Sequence, residues 1–171
     1  MKKFSDFLLE AYEEESNQEN LIQASGTFAA LYIPEDNCSS RLYKWLEKNK
    51  IDNLVEKKEY HCTIVHSTHP VPDVKNISLE LPISATIKEW KILGKDNMLV
   101  IVLESREIVS LHEETKALGA KWEYAEFIPH ISVAFNYKGE LPQKLPNIKI
   151  KFTEFKVSAL DQDFEYKTEN K

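Results

Sequence analysis

Apolar positions along the chain fall into two spacings that take turns. Thr27-Phe28-Ala29-Ala30-Leu31-Tyr32-Ile33 and Met98-Leu99-Val100-Ile101-Val102-Leu103 are short, nearly continuous apolar runs, the pattern of buried strands. Each is followed by apolar residues three and four apart, the stripe of a helix that buries one face: Leu42, Trp45 and Leu46, then Ile108, Leu111, Thr115 and Leu118. A second strand pattern closes each unit, Glu59-Tyr60-His61-Cys62-Thr63-Ile64-Val65 in one and Phe127-Ile128-Pro129-His130-Ile131-Ser132-Val133-Ala134-Phe135 in the other. Leu42 precedes His61 by nineteen residues and Leu111 precedes His130 by nineteen, so one unit is written twice. Downstream, Ile87-Lys88-Glu89-Trp90-Lys91-Ile92 resembles Phe152-Thr153-Glu154-Phe155-Lys156-Val157, each after a proline-marked loop.

Turn and cap residues set the boundaries. Pro34-Glu35-Asp36-Asn37 reads as a turn, with Ser39 or Ser40 capping a helix that runs to about Asn49; the second helix starts near Ser105 and stops at Gly119. Gly94-Lys95-Asp96-Asn97 predicts a hairpin turn, and Ile148-Lys149-Ile150-Lys151-Phe152 alternates as an antiparallel strand does. Residues 67–82 read as a proline-rich loop with room for one short strand, 139–146 as another loop, and 167–171 as a loose tail. Residues 1–20 stand apart: Phe4, Phe7, Leu8 and Ala11 mark one side of a short helix, and the acidic residues 13–20 read as a solvated tether. The main domain is then 21–171. The duplication predicts an α+β fold of two pseudo-twofold-related lobes, about 27–93 and 98–160, each a mainly antiparallel sheet with a packed helix. A cleft lies between them, and an exchange of strands between lobes is compatible with the pattern.

The duplicated strand carries chemistry. Alternate side chains of a strand share a face, which pairs His61 with Thr63 and His130 with Ser132, about 6.6 Å apart along each strand, while Cys62, Ile64, Ile131 and Val133 face inward. A lone strand histidine is ordinarily a structural residue, and His66-Ser67-Thr68 offers a third His-x-hydroxyl triplet that the following prolines place in a loop. Two such motifs in one repeated context point instead to acid–base work. A neutral imidazole deprotonates an attacking hydroxyl, an imidazolium protonates the leaving oxygen, and the hydroxyls donate to phosphoryl oxygens. This scheme needs no metal and no other cofactor. A metal bound by the two histidines with Glu59 or Glu126 is weaker, because neither His-x-x-x-His nor a dense carboxylate cluster occurs.

Charge and length narrow the substrate. A 171-residue chain with 42% hydrophobic residues can bury one substantial core, and a net charge of −6 disfavours a long nucleic acid, leaving a small phosphodiester. No apolar run approaches the roughly 20 residues of a membrane span. Cys38 and Cys62 have neither metal-site spacing nor disulfide-scaffold density, which suits a reducing cytosol.

The paired His-x-Thr and His-x-Ser resemble the 2H phosphoesterase superfamily from about Ala24 to the last strand. Within it, Ala24-Ser25-Gly26-Thr27-Phe28, Tyr60-His61-Cys62-Thr63-Ile64-Val65 and Pro129-His130-Ile131-Ser132 look most like the phage anti-CBASS cyclic-oligonucleotide phosphodiesterases. One departure is Ser132 where Thr is common, which keeps the hydroxyl and loses a rotamer-fixing methyl. The resemblance implies metal-independent hydrolysis of 3′-5′ bonds in cyclic di- and trinucleotide messengers, in the cytosol of an infected bacterium, with no obligatory protein partner. An RNA 2′-5′ or 2′,3′-cyclic phosphodiesterase of the same superfamily and a non-catalytic cyclic-nucleotide sponge are the alternatives. The opening residues resemble the head-targeting leaders of tailed-phage proteins, with Leu8-Leu9-Glu10 like a maturation cleavage site, which implies packaging in the virion. Bases need aromatic surfaces, and Tyr32, Trp90, Trp122 and Tyr124 are the candidates, Trp90 first and Tyr32 second.

Overall fold

A computed structural model describes residues 3–35 and 37–160. The chain opens with a helix, α1 (Phe4–Ser25), and residues 13–20 lie inside it instead of forming the expected tether. That run contains neither Gly nor Pro, and Glu and Gln favour helix. Ile22 near its end is buried in the core. The stop is Gly26, at φ +103°, where a Cβ would come within 2.2 Å of the Ser67 carbonyl oxygen, so only glycine fits. The side chains of Phe4, Phe7 and Leu8 and the tail 167–171 lie outside the described residues.

Both repeats fold as their apolar periods require. The first runs β1 (Thr27–Tyr32), α2 (Asn37–Lys48), β2 (His61–Ser67), and the second β4 (Met98–Glu104), α3 (Arg106–Ala117), β5 (His130–Ala134). Leu42 and Leu46 on α2 and Ile108 and Leu111 on α3 are buried, as predicted, whereas Leu118 just beyond α3 is 44% exposed. The Ser105 hydroxyl caps α3 by accepting from the Ile108 N–H at 3.3 Å, and Gly119 follows at φ +107°. The α2 cap differs from expectation: the helix already begins at Asn37, and Ser39, one turn in, donates back to the Pro34 carbonyl at 2.9 Å. Beyond Ser67, the end of β2, residues 68–82 hold a short 3-10 turn, Pro72–Asn76, and no strand.

The remaining strands cross over. β3 (Ile83–Leu93) follows the first repeat in sequence yet pairs with β4 of the second; β7 (Glu154–Ala159) follows the second yet pairs with β1 of the first. The two sheets are therefore β2-β1-β7 and β5-β4-β3-β6, with β6 (Ile150–Phe152) antiparallel to β3. Every pairing is antiparallel, and the predicted turn at residues 94–97 joins β3 to β4. The two histidine strands are edge strands that adjoin one another: the Cys62 thiol on β2 meets the backbone N–H of His130 on β5.

Candidate active site

Each histidine opens its strand, and each is held in the same way. His61 Nδ1 donates to the Glu59 carbonyl and His130 Nδ1 to the Ile128 carbonyl, both at 2.6 Å and both two residues back. A carbonyl only accepts, so the proton of each neutral ring is fixed on Nδ1 and the basic lone pair is the one on Nε2. Burial lowers the pKa of both rings below the ordinary value; the carbonyl bonds oppose that effect, and the proximity of His130 lowers His61 further. Both imidazoles thus favour the neutral form. The hydroxyls lie where alternation predicts, with Ser132 8% exposed and Thr63 half-buried.

Register shows which other residues share this surface. Across the first sheet, His61 pairs with Tyr32 and Thr63 with Ala30, and on the far side of β1 these meet Glu154 and Lys156. The Tyr32 and His61 ring centroids are 5.4 Å apart, and Lys156 Nζ lies 4.9 Å above the Tyr32 ring. Tyr32 therefore stands beside the catalytic candidates. Trp90 does not. In the second sheet His130 pairs with Val102 and thence Glu89, and Ser132 with Val100 and thence Lys91, whereas Trp90 pairs with Ile101 and Ile131 on the opposite face. It is buried there, 7% exposed, stacked on Trp45 at 5.8 Å with its indole N–H donated to the Lys144 carbonyl. The expectation that Trp90 holds a base is corrected: it is a core residue, the role its repeat partner Phe155 suggested.

Both histidine strands carry a bulge after the hydroxyl residue. Opposite Ala29 and Ala30, β2 inserts Ile64; opposite Leu99 and Val100, β5 inserts Val133. The extra residue's carbonyl is taken up each time by a donor from elsewhere, His112 Nδ1 for Ile64 at 2.8 Å and the Val55 N–H for Val133 at 2.9 Å. A bulge resets alternation, and in β2 it turns His66 onto the face of His61 and Thr63, opposite Phe28. His66 was expected in a loop. The prolines that suggested this begin only at Pro70, and β2 runs on to Ser67.

Trp122 and Tyr124, the other aromatic candidates, lie on the loop leading to β5. Trp122 packs edge-on against His112 and Phe127, while Tyr124 is 56% exposed and lies 5.5 Å from His66. A cavity of about 570 Å³, lined by Lys88, Glu89, Lys91, Arg106 and Pro129 among others, abuts the segment leading to His130 but reaches neither imidazole. Among the described residues, no three His, Cys, Asp or Glu side chains are grouped to hold a metal, and Glu59 and Glu126 form no such cluster with the histidines. No helix among them is long and apolar enough to cross a membrane.

Comparison with known proteins bears on the family and the fold. The family model for anti-CBASS protein Acb1 matches residues 25–167. The Acb1 protein of Yersinia phage phiR1-RT is 32% identical over 88 residues, 51% of this chain and 57% of that protein, so the match spans little more than half of that relative's length. The Acb1 protein of Salmonella phage S16 is 32% identical over 114 residues, 66% of this chain and 74% of its own. Among solved structures, E. coli LigT complexed with NADP+ matches with a TM-score of 0.58 at 15% identity, over 84% of this chain and 94% of LigT. At that identity the likeness is one of fold, the bilobal 2H phosphoesterase fold.

Proposed function

The chain belongs to the anti-CBASS protein Acb1 family, and from that premise we propose that it is a hydrolase cutting the 3′-5′ phosphodiester bonds of cyclic di- and trinucleotide messengers. It would thereby silence CBASS, an antiviral signal of the infected bacterium, within the host cytosol. The observation that carries this reading is the matched pair of imidazoles, each opening its strand with Nδ1–H donated to the carbonyl two residues back, on two adjoining edge strands.

In the reaction, one neutral imidazole takes the proton of a ribose 2′-hydroxyl as that oxygen attacks its own 3′-phosphorus. The other, as imidazolium, protonates the departing 5′-oxygen. Water then opens the 2′,3′-cyclic phosphate with the roles reversed. Thr63 and Ser132 donate to the non-bridging oxygens as their charge grows. The two strands are related by pseudo-symmetry, so the order of attack follows from how the ligand lies, and the protein supplies each proton carrier from its own chain. Tyr32, beside His61, offers a ring on which one base stacks.

The test is incubation of the protein in EDTA with cyclic di- and trinucleotides and a linear RNA, with products read by mass. Cleavage of the cyclic ligands is expected, with a loss of at least 10²-fold in each of His61→Ala and His130→Ala. A 2′-deoxy cyclic analogue should be spared. Processing of the linear RNA alone would establish the RNA-end reading instead, and bound but intact cyclic ligand would establish the sponge.

A further inference from the structure

We propose that His66 and Tyr124 form a nucleobase subsite beside the two-histidine centre, in which the base lies on the Tyr124 ring and His66 donates a hydrogen bond from Nε2 to an acceptor on the base edge. The proposal rests on the phosphodiesterase reading and adds to it the group that chooses the base.

Placement is the first support. The bulge at Ile64 puts His66 on the face of His61, Thr63 and Tyr32, and the edge of one ring, Phe28, serves both histidines, at 6.0 Å from His61 and 6.5 Å from His66. His66 is therefore one aromatic ring away from the reacting groups. In the second repeat, the position five residues after His130 is Phe135, so this imidazole has no counterpart in the other lobe. A group present on one side only of a pseudo-symmetric site can distinguish the two halves of a ligand.

The chemistry of the ring is the second. His66 Nδ1 is shut off from solvent and has no hydrogen-bond partner, whereas Nδ1 of His61 and of His130 each meets a carbonyl. A proton on the enclosed Nδ1 would leave an N–H donor unmet, which costs more than an unmet lone pair on a weak acceptor. The neutral ring accordingly carries its proton on Nε2, the reverse of the tautomer at the two catalytic candidates. It can donate to a ligand from that atom, and it cannot act there as a base. A ring nitrogen or carbonyl oxygen on a base edge accepts such a bond.

The loop that brings Tyr124 supplies the platform. It is anchored to the end of β2, with Glu123 accepting from the Thr68 N–H and hydroxyl at 2.8 and 2.9 Å and the Lys121 N–H donating to the Ser67 hydroxyl at 3.1 Å. Tyr124 leans on Trp122 at 5.2 Å and on His66 at 5.5 Å, yet stays more than half exposed. An open aromatic ring beside a polar donor meets both needs of a base, a surface to stack on and a hydrogen bond to its edge.

Steady-state kinetics on the cyclic nucleotide that the wild type cuts fastest, compared with His66→Ala, His66→Gln and Tyr124→Ala, test this. His66→Ala and Tyr124→Ala should each raise KM about tenfold with kcat within about twofold of wild type. His66→Gln, which retains an N–H donor, should recover most of the His66 loss. Melting curves identify any variant that misfolds, and Tyr124→Ala, at an exposed position, then carries the comparison alone. If the wild type cuts the ligand and KM is unchanged in the folded variants, the subsite is wrong and the enzyme reading stands. A fall in kcat that glutamine does not rescue would show a structural role instead. If the wild type neither cuts nor binds any cyclic nucleotide, the phosphodiesterase reading fails and the subsite with it.

Discussion

At the residue scale, three histidines of the two edge strands are set apart by what meets Nδ1. His61 and His130 give that proton to a carbonyl, and His66 has nothing there to give it to. The same backbone bonds that fix the tautomer raise the pKa of the catalytic candidates, but burial outweighs them and both end below the ordinary value of 6.5. Acid–base catalysis by the pair needs one ring neutral and one protonated, a state most populated between the two pKa values. The profile of kcat/KM against pH, which reports the free enzyme, should therefore be a bell centred on the acid side of 6.5 and falling steadily toward neutrality. A maximum above about pH 7.5 would mean that the free rings titrate higher than their burial requires, and the two-histidine scheme would need a different acid. The sequence exposed His61, Thr63, His130 and Ser132 because repetition singles them out from other His-x-hydroxyl triplets. Trp90 misled because an aromatic residue in a strand reads alike from either face, and only the register to Ile101 and Ile131 shows that it points inward.

At the scale of elements, what the sequence left hidden is the bulge. Strict alternation from His61 would put Val65 on the functional face and turn His66 away; the inserted Ile64 reverses this, and no composition signal in Cys62-Thr63-Ile64-Val65-His66 announces it. His112 holds the bulge in place. Its Nδ1–H occupies the Ile64 carbonyl, and its ring lies flat on Phe127 at 3.7 Å, so one side chain of α3 braces β2 and the segment entering β5 together. The helical stripe predicted for α3 named its apolar members but not this buried polar one, because a histidine carries no hydrophobic signal. Replacing it with alanine strands a buried carbonyl and opens a ring-sized space, and should cost about 3 kcal/mol in urea unfolding. Asparagine can donate to the carbonyl but cannot stack, and should recover only part. A loss below about 1 kcal/mol for alanine would show that the bulge is held by the strand pairing itself.

The whole molecule is a duplication whose halves cannot separate. Each repeat was legible from its apolar periods, including turn, helix and histidine strand. The partner of each last strand was not, since pairing is a tertiary choice that periodicity leaves open. With β3 in the middle of the second sheet and β7 at the edge of the first, and with Trp45 on α2 stacked on Trp90 of β3, each repeat completes the other's core. Unfolding should accordingly be one cooperative event, and its dependence on acid follows from the buried rings. His61, His112 and His130 all have pKa values lowered first by burial. In the unfolded chain they take up protons as pH falls through about 6.5, while in the folded chain they resist until a lower pH. Their contribution is thus intact above about pH 6.5 and is lost as pH falls toward their folded values, with unfolding taking up about three protons across that window. Glu123, whose pKa is lowered by its bonds to Thr68, adds to the loss only within the carboxylate range. Urea unfolding followed from about pH 7.5 to about pH 5.5 should show stability falling with acid, and a His61→Gln, His130→Gln double variant should keep roughly one third of that slope, the share of His112. A slope untouched by the double variant would place the acid sensitivity outside His61 and His130 and remove burial of those two rings as its cause.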